Sequence, residues 1–302
     1  MPSATKPKSF PVIPTVLTLG AVGGLTALAI RIYRHPQETL IDAVRAYVLL
    51  AGIREESCNL EGVAMHYYCA GRRGTPVVLI HGLGSSAETW AALIPMLSKE
   101  FLVYALDLPG FGRTPLAPEG TNISTHVLYL KRFLDTLGYP HVTLVGNSLG
   151  GWIATSFAVE HPERVHRLYL LNSAGLRREN SHSPYAEDRT AARRSFDYMM
   201  GFSLPVPKFV LDAMVRNSQT PAYAGFIRGY DPHEELDSVL ADVQVPTTII
   251  WGEQDNLLPL ICAYDLHSGI ANSELVLLPQ VGHMPQIQAP VKVARIILEN
   301  SL

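Results

Sequence analysis

Short apolar runs rich in β-branched residues alternate with longer helix-patterned stretches through most of the chain. The runs fall at residues 76–80, 101–106, 142–145, 167–171, 247–251 and 274–278, and several are apolar at nearly every position. Continuous apolar runs mark strands covered on both faces, as in a parallel sheet. Helical spacing predicts helices over 88–98, 124–137, 152–161, 258–268 and 290–298. Ahead of these, 39–50 reads as a helix and 60–70 as strand material with a turn at Glu61-Gly62. Repeated strand–helix alternation predicts an α/β fold: a mostly parallel central sheet with helices on both faces.

The rhythm breaks between Asn172 and Val245, where no strand pattern occurs. Arg177, Arg178, Glu187, Asp188, Arg189, Arg193 and Arg194 lead there into Tyr198, Met199, Met200, Phe202, Phe209 and Phe226. This stretch predicts a helical cap inserted at about 175–240.

A second departure lies at the start. Residues 9–30 carry no charge, with Lys8 before them and Arg31 after. Twenty-two residues at ~1.5 Å each just cross a ~30 Å hydrocarbon layer, so 1–35 is expected to be a membrane anchor. Cleavage as a signal peptide after Ala27-Leu28-Ala29 is the rival reading. Lys6 and Lys8 on one flank and Arg31, Arg34 and Arg45 on the other give the positive-inside rule no winner. A linker helix is expected over 36–57 and the main domain over 58–302. Part of the chain's mean hydropathy of +0.13, and of its low 17% charged share, thus sits in the first segment. A net charge of -3 argues against nucleic acid as a partner, because phosphate neutralisation needs a basic surplus. Cys58, Cys69 and Cys262 are too few and too scattered for a disulfide framework or a zinc site. With no HExxH, CxxC or dinucleotide-binding glycine fingerprint, no metal or cofactor site is predicted.

Gly146-Asn147-Ser148-Leu149-Gly150 follows a predicted strand and opens a predicted helix. In that setting G-x-S-x-G makes a sharp turn that lifts the Ser148 hydroxyl above the sheet edge. The Leu149 amide then stands at a helix N-terminus, where an unpaired N–H can stabilise developing negative charge. A hydroxyl needs a base to become a useful nucleophile. Of eleven histidines, His283 alone sits on a loop just past the last strand, within reach of the sheet's C-terminal edge. Asp255, beyond the strand ending at Trp251, is the candidate acid that orients this imidazole, with Glu253 as near rival. Asn172 and Ser173 occupy the other strand-end acid position. The Leu83 amide in His81-Gly82-Leu83-Gly84 is the second candidate oxyanion donor. His81 reads as a structural imidazole bracing that loop, and Asp107 as a loop anchor.

HGLG at 81–84, DLPGFG at 107–112, GNSLGG at 146–151, WGEQD at 251–255 and VGHMPQ at 281–286 together resemble the α/β-hydrolase fold serine hydrolases, from Cys58 to the end. With the apolar first segment, the chain looks most like the membrane-anchored monoacylglycerol lipase type. That resemblance implies Ser148, Asp255 and His283 as triad, Leu83 and Leu149 as oxyanion amides, and a cap that shapes an acyl pocket. It implies a carboxylic ester hydrolase acting on a small, lipid-like ester through an acyl-enzyme. A second branch, the carbon–carbon bond hydrolases of aromatic-ring degradation, shares the Asn147-Ser148 pair. It is the alternative, with Arg177 or Arg178 to meet a substrate carboxylate, although its usual Trp after the histidine is Met284 here. Relatives with an aspartate nucleophile are excluded by Ser148, and a non-catalytic binding protein is the remaining alternative.

Overall fold

The computed structural model describes Arg31 and residues 36–300. The chain divides into two compact units, Met1–Ala43 and Val44–Leu302. The expected anchor segment, 1–35, lies outside the described residues except for Arg31. Among the described residues no helix is long and apolar enough to cross a membrane.

Helix α1 (Pro36–Leu50) is shorter than the linker helix expected over 36–57. Gly52, at φ 75°, turns the chain, and Arg54 already begins a strand. Strands β1 (Arg54–Leu60) and β2 (Val63–Ala70) form an antiparallel hairpin. Its turn residues Glu61 and Gly62 both have positive φ, 51° and 98°, which matches the twist of a two-residue hairpin. The remaining strands are β3 (Pro76–Ile80), β4 (Leu102–Leu106), β5 (Val142–Asn147), β6 (Val165–Leu171), β7 (Thr247–Gly252) and β8 (Ser273–Leu278). They complete an eight-stranded sheet of order β1-β2-β4-β3-β5-β6-β7-β8, parallel from β4 onward.

The helices after α1 run α2 (Ile94–Leu97), α3 (Ile123–Leu137), α4 (Leu149–Glu160), α5 (Arg189–Met200), α6 (Lys208–Ser218), α7 (Pro221–Arg228), α8 (Ile261–Gly269), α9 (Pro285–Gln288) and α10 (Pro290–Glu299). The single helix expected over 88–98 is a 3-10 turn at Ala87–Trp90 followed by the short α2, where Pro95 falls in the first helical turn. Apolar side chains fill both faces of the sheet. Phe133, Ile153 and Phe157 pack on one side with Leu144, and Trp90, Leu93, Val293 and Ile297 on the other with Tyr169. Two-face burial is why the central strands read as unbroken apolar runs.

The insertion between β6 and β7 forms α5, α6 and α7, followed by short 3-10 turns, and contains no strand. Its exit is latched at two points. The Glu234 carbonyl accepts the Trp152 indole N–H at 2.8 Å, and the Glu234 carboxylate accepts the Ser124 amide at 2.9 Å at the start of α3. An acid at a helix N-terminus meets unpaired amides there.

Candidate active site

Ser148 sits between β5 and α4 with φ 55° and ψ -120°, a strained conformation for a residue with a Cβ. Its surroundings leave no room for side chains on either flank. A Cβ on Gly146 would stand 2.2 Å from the Gly150 carbonyl oxygen, and one on Gly150 would stand 2.1 Å from that of Ile80. Both motif glycines are therefore steric requirements. The elbow is pinned by the Ser148 amide donating to Leu171 at 3.1 Å and by its carbonyl accepting the Gly151 amide at 2.9 Å. Gly82 lies directly opposite, where an added Cβ would be 3.1 Å from the Ser148 Cβ. The loop of Leu83 thus reaches the nucleophile, and Leu83, Ser148 and Leu149 line one cavity of about 360 Å³.

Asp255 and His283 meet as a buried pair, His283 Nδ1 lying 2.7 Å from Asp255 Oδ2. Asp255 Oδ1 accepts the amides of Leu257 and Leu258 at 2.8 and 3.0 Å. Glu253, the rival acid, is exposed, whereas Asp255 is buried against the imidazole. With Nδ1 facing the carboxylate, Nε2 is the nitrogen left for a hydroxyl proton. A serine at a helix N-terminus and a buried acid–imidazole pair are the groups that nucleophilic attack on a carbonyl would use.

Three amide side chains that sequence reasoning left without a role tie these loops together. Asn147 Nδ2 donates to the carbonyls of Leu171 and His283, each at 3.0 Å, and its Oδ1 accepts Gln286 Nε2 at 2.9 Å. Asn172 Nδ2 donates to Asp255 Oδ2 at 2.7 Å. Such contacts join residues 24 to 139 positions apart and leave no local pattern.

His81 acts as the expected brace. Its Nε2 accepts the Leu108 amide at 3.1 Å and its Nδ1 donates to the Gly82 carbonyl at 2.8 Å, which fixes a neutral ring. Burial lowers its pKa from the ordinary value, against the pull of Asp107. Asp107 is likewise the expected anchor. It accepts His66 Nδ1 at 2.8 Å and the amides of Ala87 and Arg113 at 2.7 and 2.9 Å. Burial opposes its charge, yet these partners and His81 together hold the carboxyl below its ordinary value.

The cavity wall is mainly apolar, with Leu83, Leu149, Trp152, Leu176, Phe226 and Leu257 around the serine. Arg177 and Glu235 also line it. Arg177 lies over the Tyr230 ring at 5.6 Å, whereas Arg178 is paired with Asp265 at 2.6 Å and Asp237 at 2.5 Å. Burial, then the neighbouring Asp237, raises the Glu235 pKa from the ordinary value.

An eight-stranded, mostly parallel sheet with a serine elbow, a buried acid–histidine pair and a helical cap defines a hydrolase of the α/β class. Residues 75–211 match the family model for the α/β hydrolase fold. A 2-hydroxy-6-oxo-2,4-heptadienoate hydrolase of Pseudomonas putida is 31% identical over 71% of this chain and 84% of its own length. A 2-hydroxy-6-oxononadienedioate/2-hydroxy-6-oxononatrienedioate hydrolase of Pseudomonas putida is 28% identical over 82% of this chain and 94% of its own. The crystal structure of a membrane phospholipase A, described as a bacterial virulence factor, superposes with TM-score 0.78 at 25% identity, over 94% of this chain and 97% of that one. The chain belongs to the α/β-hydrolase family.

Proposed function

We propose that the protein is a serine hydrolase cleaving carboxylic esters with an apolar acyl group. The observation that carries this reading is that Ser148 lines a mainly apolar cavity together with Leu257 and Leu258, whose amides hold the Asp255 of the buried His283–Asp255 pair. His283 Nε2 takes the Ser148 proton as Oγ attacks the ester carbonyl, and Asp255 stabilises the resulting imidazolium. The amides of Leu83 and Leu149 receive the oxyanion, a contribution of about 3–4 kcal/mol per donor. His283 returns its proton to the leaving alcohol. Water, activated by the same ring, then releases the acid and restores Ser148.

A membrane anchor at 1–35 belongs to the same proposal, because an apolar acyl substrate partitions into lipid. It is supported by the 22-residue charge-free run and by the coverage shared with the membrane phospholipase A. Recovery of full-length protein in the soluble fraction after mild lysis, with its N-terminus intact, would contradict it.

Carbon–carbon bond hydrolysis is the second reading, and the curated relatives favour it over an ester substrate. Arg177 in the cavity wall is the cation such a dienoate would need, since Arg178 is held by two carboxylates. Glu235 in the same wall offsets that charge, which keeps the geometry on the side of a neutral ester. One experiment separates the two. Purified protein is assayed against p-nitrophenyl esters, monoacylglycerols and a 2-hydroxy-6-oxo-dienoate, with Ser148→Ala as the blank. Faster serine-dependent turnover of an ester is the expected result, and faster turnover of the dienoate overturns the first reading. A fluorophosphonate probe should label the wild type and leave Ser148→Ala unlabelled.

A further inference from the structure

Strands β6 and β7 run side by side, with Leu171 opposite Ile250, so both deliver their next residues to one point on the sheet edge. Asn172 and Asp255 meet there. Asn172 is wholly buried and adopts a positive φ of 41°. Its backbone amide donates to Ile250 at 3.0 Å.

The orientation of its side chain follows from chemistry. The Gly252 amide, 2.9 Å from Asn172 Oδ1, can only donate, so that atom must be the carbonyl oxygen. The NH2 group therefore faces Asp255 Oδ2 at 2.7 Å, with the Gly252 carbonyl at 3.5 Å on its other side. Asp255 Oδ2 thus accepts Asn172 Nδ2 and lies 2.7 Å from His283 Nδ1, while Oδ1 accepts the Leu257 and Leu258 amides. Three fixed N–H donors already sit on the carboxyl oxygens, which suits Oδ2 to accept a hydrogen bond from Nδ1–H of His283.

We propose that Asn172 is a positioning residue for the reaction: its amide donates to Asp255 Oδ2 and aims that oxygen at His283, thereby setting the tautomer that frees Nε2 for Ser148. The proposal rests on reading Ser148, His283 and Asp255 as a triad. An amide does this where a second carboxylate could not. Two carboxylate oxygens 2.7 Å apart cannot both stay charged without a shared proton or a neighbouring cation. The titratable groups in contact at this point are His283 and Asp255, with the buried Cys262 thiol near enough to feel the Asp255 charge. An aspartate at 172 would add negative charge that favours protonated His283.

Two variants separate this role from simple support of the fold. Asn172→Gly keeps a backbone at ease with positive φ and removes the amide. Asn172→Asp keeps the shape and removes the donor. Both are checked for a wild-type thermal transition, then followed by fluorophosphonate labelling rate against pH. With Asn172→Gly, labelling should slow on the order of tenfold to a hundredfold. With Asn172→Asp, the acid limb of the rate profile should move to higher pH by about half a unit or more. A folded glycine variant labelling within about twofold of wild type would overturn the proposal. So would a slower aspartate variant with an unmoved pH profile, which marks a merely structural role. If one variant fails to fold, the other still decides. No labelling of folded wild type would instead defeat the triad reading itself, a distinct failure.

Discussion

The backbone amide of His283 donates to the carbonyl of Met199, in the last turn of cap helix α5, at 2.7 Å. The preceding carbonyl, Tyr198, accepts the amide of Asn256 beside the acid at 3.1 Å, and that of Met200 accepts Gln288 Nε2 at 3.0 Å. The last carbonyls of a helix have no partner within it. Here they find partners on both loops that carry the acid–histidine pair. The cap is therefore a brace for the site as well as its cover.

Gly201 ends that helix at φ 78°, and a Cβ there would lie 2.4 Å from the Gln254 carbonyl oxygen. Gly201→Ala should both strain the turn, by about 1 kcal/mol, and push α5 off the acid loop. The expected outcome is a loss of kcat on the order of tenfold with a smaller change in KM. Steady-state kinetics beside a thermal melt checks it: an unchanged kcat would show that the docking does not matter to the chemistry.

Asp107 gives a prediction with a definite pH window. Its carboxyl is held below the ordinary value in the fold, so its stabilisation is fully present above the unfolded pKa of ~3.9. It is lost as pH falls through the lowered folded value. Asp107→Asn leaves the donors of His66, Ala87 and Arg113 facing an amide, at a cost of about 3 kcal/mol near neutrality. Melting temperatures of wild type and variant should differ most at neutral pH and converge as pH drops below about 4. A gap of constant size across that range would rule out the charge as its source.

His126 works through the opposite kind of group. Burial in an apolar setting pushes it down to about 3. A buried imidazole held neutral stabilises the fold above the unfolded pKa of ~6.5, and that stability drains away as pH falls toward the folded value. His126→Leu keeps a comparable apolar volume and has nothing to titrate. The variant should lose less melting temperature than wild type between neutral pH and about pH 5. Parallel curves would mean that other groups carry the acid sensitivity.

Much of this site could be read from the chain because its parts are local. Gly146 and Gly150 announce the elbow since neighbouring backbone occupies their Cβ positions, and Asp255 and His283 each follow a strand by a few residues. The sheet was legible for a related reason, as strands covered on both faces repeat one residue type. The linker helix was overextended because residues 54–57 are polar and exposed on an edge strand, without the alternation of a half-buried one. Asn147, Asn172 and Gln286 were opaque: an amide reads as a turn former until its long-range partner is known. The cap offered composition without contacts, so neither the latch at Glu234 nor the α5 brace could be foreseen.

Trp152 sets the final prediction, about the acyl group. It lies one turn along α4 from Ser148, lines the same cavity, and meets Phe226 and Tyr230 edge-on with centroids 6.3 Å apart in each case. If the acyl chain extends past the serine, this indole is its end wall. Trp152→Ala would lower stability by about 3–5 kcal/mol, through the cavity it leaves and the Glu234 carbonyl it strands. In the folded fraction it should shift kcat/KM away from p-nitrophenyl butyrate toward the octanoate and dodecanoate esters. Trp152→Phe separates the two effects, because it loses the indole N–H while keeping most of the bulk. Its stability should fall by only about 1–3 kcal/mol and its chain-length preference should stay near that of wild type. A uniform drop across all three esters in Trp152→Ala would place the acyl chain elsewhere and leave the leaving group against this wall.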